Sequence, residues 1–135
     1  MYPAAVVDTL RGYFAARRDV VAAYLFGSVA RGEARADSDV DVAVLLANGA
    51  PAGTSDHDAL FALQDDLEER LHRRVDLVAM NGAPLDLLHR VLRDGVRVAD
   101  ADPGRRAEFE VQVRTQYFDL LPLLLRYRQH VLRGA

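Results

Sequence analysis

The chain has 135 residues, half of them hydrophobic and 27% charged, with a formal charge of -3. That balance describes a single globular domain able to bury a core, and it excludes a disordered chain. Cysteine is absent, which excludes a disulfide scaffold, a thiolate zinc site and a thiol nucleophile.

All 17 basic residues are arginine. A chain without lysine has no P-loop lysine and no Schiff base. The negative net charge disfavours direct binding to nucleic acid, which depends on clustered positive charge. No window approaches about 18 uninterrupted apolar residues, and no basic stretch leads into a cleavage site at the N-terminus. The expected location is cytoplasmic, with no membrane partner.

From Ala4 to Arg18, apolar residues at Val6, Val7, Leu10, Phe14 and Ala15 have helical spacing, and Arg17 and Arg18 suit a helix C-terminus. Val20 to Phe26 reads as a buried strand stopped by Gly27-Ser28. Ser38 to Leu46 alternates through Val40, Val42 and Val44 and reads as the central strand. The stretch NGAPAGTSDHD is a surface loop leading to a helix capped by Thr54, Ser55 or Asp56, with Leu60, Phe61, Leu63, Leu67 and Leu71 as its buried stripe.

Arg74 to Met80 alternates again, with Val75, Leu77 and Ala79 on one face and Asp76 and Val78 on the other. Pro84 opens a short helix to about Arg93, Asp94-Gly95 ends it, and Val96 to Ala99 fits a short edge strand. From Gly104 the chain is helical to near Leu132, with a candidate kink at Pro122. The order predicts an α/β (α+β) fold over residues 1–135, a small mixed sheet covered by helices.

Gly27-Ser28 closes a strand, ten residues follow, and Asp39-Val40-Asp41 opens the next strand. Residues i and i+2 of a strand share a face, so the two carboxylates stand together. Such a pair repels itself unless a cation such as Mg²⁺ is present. Asp76 starts its own strand on the polar side, and a neighbouring position would complete a triad able to hold two metal ions for phosphoryl chemistry. The Gly27-Ser28 turn offers backbone N–H groups and a hydroxyl to phosphates, and a short helix from Val29 to Ala34 would add its dipole.

GSVARGEARADSDVDVAVLL is similar to the Gly-Ser-x10-Asp-x-Asp signature of the polymerase-beta-like nucleotidyltransferase superfamily. The GSxARG and SDxD variants resemble the minimal nucleotidyltransferase antitoxins of the MntA type. The resemblance implies that fold, with a long C-terminal helix, and an enzyme that silences a HEPN-domain (HepT-like) ribonuclease toxin by moving AMP from ATP onto a toxin tyrosine. By the same resemblance, Gly27 and Ser28 match the phosphate-binding turn, Asp39 and Asp41 the metal-binding pair and Asp76 the third carboxylate. Arg31 would be a phosphate or partner contact. No Arg-x(4 to 6)-His pair of the HEPN nuclease type is present, so the toxin is expected as a separate chain in a hetero-oligomer, with a homo-oligomer also open.

Bland readings stand beside these. Gly27-Ser28 could be an ordinary turn, Asp37, Asp39 and Asp41 solvated residues at a strand end, Asp76 the partner of an arginine, and Arg31 surface charge. His57, His72, His89 and His130 have no ligand spacing. The C-terminal helix, about 104–132, carries two apolar stripes, one through Phe109, Val113, Tyr117, Leu120, Leu124, Tyr127 and Val131, the other through Val111, Phe118, Leu121, Leu125 and Leu132. The second is either core or a partner surface. Two rival functions remain, nucleotide transfer to a small molecule such as an aminoglycoside and a non-catalytic antitoxin that acts by binding alone.

Overall fold

The computed structural model describes residues 4–33, 35, 38–47 and 56–134; Asp37, Thr54 and Ser55 lie outside them. The strands are β1 (Val20–Phe26), β2 (Val40–Leu46), β3 (Val75–Ala79) and β4 (Val96–Asp100). The helices are α1 (Ala4–Ala15), α2 (Gly27–Ala30), α3 (Asp56–Leu71), α4 (Leu85–Asp94) and α5 (Pro103–Gly134). All four strands form one mixed sheet in the order β3-β2-β1-β4, antiparallel except for the parallel pair of β2 and β3. That parallel pair requires a crossover, which α3 supplies.

Side-chain alternation divides the core between the two faces of the sheet. Val40, Val42, Val44 and Leu46 of β2 join Val75 and Leu77 of β3 on one face, under Leu10 and Phe14 of α1 and Leu63 and Leu67 of α3. Ala43 and Leu45 face the other way, with Tyr24 and Met80, and are covered by Leu88 and Val91 of α4 and Val113 of α5. The alternation read from β2 and β3 is therefore the one observed.

Three local expectations are corrected. α1 ends at Ala15, not Arg18, because Ala16 and Arg17 donate back to Tyr13 and Phe14 at 3.4 and 3.0 Å, and Arg17 then pairs with Asp19 at 2.9 Å. Phe61 is 55% exposed: Leu63 and Leu67 are the buried residues of α3, and Phe61 falls off their stripe. The short helix after β1 begins at Gly27 and has a single turn. α5 continues through Pro122, although a proline there leaves the carbonyl one turn earlier without its helical donor.

At 32 residues, α5 is about 48 Å long, far longer than any strand it covers. Its first half is locked to the sheet. The Tyr24 hydroxyl donates to Glu110 Oε1 at 2.6 Å, and Glu110 is only 8% exposed. Arg114 and Arg106 lie 3.4 and 3.5 Å from the same carboxylate, and Arg106 also holds Asp100 of β4 through two bonds of 3.1 Å. Burial, and then the hydrogen bond to Glu110, push the Tyr24 hydroxyl far above its usual range, so it remains a donor. Tyr117 stacks on His89 of α4, with ring centroids 3.6 Å apart. The side chains from Pro122 to Leu132 are exposed. Among the described residues no helix is long and apolar enough to cross a membrane.

Removing the Tyr24 hydroxyl leaves a buried carboxylate one donor short while its arginines stay. Tyr24→Phe should lower unfolding free energy by about 1–2 kcal/mol, read from urea or thermal denaturation. A change within error would show that the arginines alone satisfy Glu110.

Candidate functional site: a carboxylate pair beside a glycine turn

The last residue of β1, Phe26, pairs with Asp41 of β2, so the turn that follows is delivered directly onto that carboxylate. Gly27 adopts φ +74° and its α-carbon packs against Asp41. A Cβ at Gly27 would run into Asp41 Oδ2 and lie 3.1 Å from Cγ. Glycine is thus required twice over, by the left-handed backbone and by the close approach. The turn is tied down by Glu33 N–H donating to Ser28 O at 2.9 Å and by Val29, which is buried in the main core.

On the other side of Asp41, the parallel register pairs it directly with Asp76 of β3. Adjacent strands lie about 4.8 Å apart, so two carboxylates project side by side from one face. Asp41 is half-buried and Asp76 exposed. Burial first, then the charges of Asp76 and Asp39, push the Asp41 carboxyl above its ordinary value, against a weaker opposing pull from Arg31. Among the described residues no ion pair reaches Asp76.

Asp39 occupies the exposed residue before β2. The approach to it is held by Arg73, whose Nη2 donates to Ser38 O at 2.7 Å and Arg35 O at 3.2 Å, and by Val40 N–H on Arg74 O at 2.9 Å. Asp39 acts on Asp41 through its charge, but it does not line the cleft where Asp41 and Asp76 meet. Among the described residues no three acidic or imidazole side chains form a ready metal cage. The donor set suits a hard cation all the same: carboxylate oxygens, one on a carboxyl that burial and then neighbouring charges push above its ordinary value.

The cleft encloses ≈ 490 Å³. Gly27, Ser28 and Arg31 form one side of it with Asp41 and Asp76, and Phe26 and Val78 supply apolar surface. The remaining side is α4, through Leu87, Arg90 and Asp94. These three were not singled out from the sequence, yet their spacing of three and four residues is a helix face distinct from the buried Leu88 and Val91. Arg31 sits at the rim, 3.1 Å from Glu33.

Because ionised Asp41 is carried beside like charges, Asp41→Asn should raise the melting temperature of the metal-free protein at neutral pH. A carboxyl with a raised pKa favours the fold when protonated, so this gain should shrink as pH falls through the titration of Asp41. Gly27→Ala should instead destabilise by more than about 1 kcal/mol, from the left-handed backbone alone. Melting curves of both variants across pH check these outcomes.

No curated protein sequence matched the chain. Among solved structures, a chain from a toxin-antitoxin complex with AMP-PNP aligns at TM-score 0.71 and 24% identity, covering 98% of this chain and 99% of that one. A chain from the complex of a tri-AMPylated Shewanella oneidensis HEPN toxin with MNT antitoxin aligns at TM-score 0.65 and 23% identity, covering 97% and 96%. A protein provisionally described as a minimal nucleotidyltransferase shares 36% identity over 69% of this chain and 89% of its own, at TM-score 0.54. The profile of the polymerase beta nucleotidyltransferase family matches residues 8–104, from α1 through all four strands, and so spans every residue of the cleft. The chain belongs to the polymerase beta nucleotidyltransferase family.

Proposed function

We propose that the protein is a Mg²⁺-dependent adenylyltransferase and antitoxin, which silences a cognate HEPN ribonuclease toxin in the cytoplasm by transferring AMP from ATP to a toxin tyrosine. The observation that carries this reading is the register of Asp41 on Asp76 beside the Gly27-Ser28 turn. It puts neighbouring carboxylates and a glycine turn in one cleft.

Asp39, Asp41 and Asp76 would hold the magnesium, two ions in the full site, which when bound neutralises the triphosphate and lowers the pKa of the acceptor hydroxyl. Gly27 and Ser28 cradle the triphosphate through backbone N–H groups and the serine hydroxyl, with Arg31 as a further contact at the rim. Asp76, the more exposed carboxylate of the cleft, takes the proton of the tyrosine hydroxyl. The phenolic oxygen bonds to the α-phosphorus, the bond from that phosphorus to its bridging oxygen breaks, and pyrophosphate leaves with the electron pair.

The partner is supported by the solved complexes. One contains an AMPylated HEPN toxin, and the matched chain aligns along nearly its whole length. The end of α5 offers the surface. Tyr127 is 69% and Leu132 74% exposed, and with Leu124, Arg128 and Val131 they shape an apolar hollow of ≈ 340 Å³. Anchors of this kind dominate protein interfaces. A single chain would not leave them in water without a cost.

Incubating the chain with the HEPN protein encoded beside it, ATP and Mg²⁺ should add the mass of one or more AMP groups to the toxin, read by intact mass spectrometry. Asp39→Asn and Asp41→Asn should each reduce transfer by on the order of 10³-fold, since each removes a charge from the metal site. A toxin that is bound and silenced without gaining mass would establish the binding-only antitoxin instead.

Leu124→Glu or Tyr127→Glu should weaken the complex by about 2 kcal/mol or more, by placing an unpaired charge in an apolar contact. Melting of the isolated protein should not change, because both side chains are already exposed. Titration calorimetry against the toxin measures the first effect and thermal denaturation the second; loss of stability would make the end of α5 core instead.

A further inference from the structure

The two arginines of the cleft are not equivalent. Arg31 is surrounded by acid: Glu33 pairs with it at 3.1 Å, and its charge also acts on Asp41 and on Asp94. Arg90 lines the same cleft from α4, is exposed, and has no ion pair or hydrogen bond with any described residue. The acid one turn along the helix does not claim it. Asp94 is held by its neighbour Arg93 through two bonds of 3.0 and 2.9 Å, which keep that carboxylate ionised and occupied.

A nucleoside triphosphate brings several negative charges into a cleft already lined by Asp41, Asp76 and Asp94. Magnesium offsets part of this, and the chain has no lysine to offset the rest. A guanidinium with free donors suits phosphate oxygens, which it can meet through two parallel N–H bonds. The α-phosphate must lie at the carboxylates, where the acceptor attacks. The charge that grows during transfer appears on the two phosphates that leave.

We propose that Arg90 is the binding residue for the β- and γ-phosphates of the nucleotide, gripping the pyrophosphate from the α4 side of the cleft. This rests on the nucleotidyltransferase reading of the site and adds a residue outside the Gly-Ser turn and the carboxylates. The same contact stabilises pyrophosphate as it departs, so Arg90 acts on both ground state and transfer. Arg31, already engaged by acid, contributes less.

The test is titration calorimetry of the full chain with Mg-ATP, Mg-pyrophosphate and AMP, on wild type, Arg90→Gln, Arg90→Lys and Arg31→Gln. Losing charge-assisted bonds to phosphate should weaken Mg-ATP and Mg-pyrophosphate by roughly 10- to 100-fold in Arg90→Gln, with AMP changed less than about twofold. Arg90→Lys should recover part of the loss, and Arg31→Gln should have the smaller effect. Melting curves without nucleotide should coincide, since Arg90 is exposed. Unchanged binding in Arg90→Gln, or equal weakening of all three ligands, would overturn the assignment. Failure of wild type to bind Mg-ATP or Mg-pyrophosphate at millimolar concentration would overturn the reading of the site itself.

Discussion

The register between β2 and β3, set by hydrophobic burial on one face, is the constraint on which the acid pair of the other face depends. The parallel register that pairs Asp41 with Asp76 brings a half-buried carboxylate beside an exposed one, and among the described residues no ion pair reaches either of them. Such an arrangement opposes folding. It persists because the strands are fixed elsewhere: Val40, Val42, Val44, Val75 and Leu77 are held in the opposite core by α1 and α3. A slip of one residue in either strand would turn that apolar set outward, so hydrophobic burial fixes the register and the register fixes the acid pair.

The same logic explains the turn. Gly27 is forced against Asp41 because Phe26 pairs with that residue, and Val29, buried in the core, keeps the following turn from lifting away. The cleft is therefore built from rigid parts on the sheet side. Its other side is α4, and α4 is held in turn by α5 through the stack of His89 on Tyr117. The helix that carries the exposed apolar end thus also supports the helix that carries Arg90. The Tyr24, Glu110 and Arg106 network fixes the first half of α5 to β1 and β4, leaving its second half to project. Local anchoring and outward projection reside in one element.

Periodicity was enough to place the elements. The alternation of Val40, Val42 and Val44 sorts β2, and the same pattern in β3 assigns Asp76 to the face of Asp41, because side-chain direction in a strand has a period of two. The family signature was legible for a similar reason, since a fixed spacing between a Gly-Ser turn and a paired acid is local information. Phe61 and the end of α1 were misread for local reasons. Phe61 is apolar but lies off the face that Leu63 and Leu67 present, and Arg17 prefers Asp19 to the helix end. The Tyr24 to Glu110 bond joins residues 86 positions apart and has no local trace.

What the sequence by itself determined is the set of strands and helices, the shared face of Asp41 and Asp76, and the family signature, because all of these follow from short-range spacing. What only the tertiary structure decided is which strand neighbours which, and so that Asp76 stands beside Asp41. It also decided that α4 closes the cleft with Arg90, and that the apolar surface past Leu121 finds no cover within the described residues. These depend on pairings between distant segments, whose geometry is set by how two core faces are filled at once and not by the order of residues along the chain.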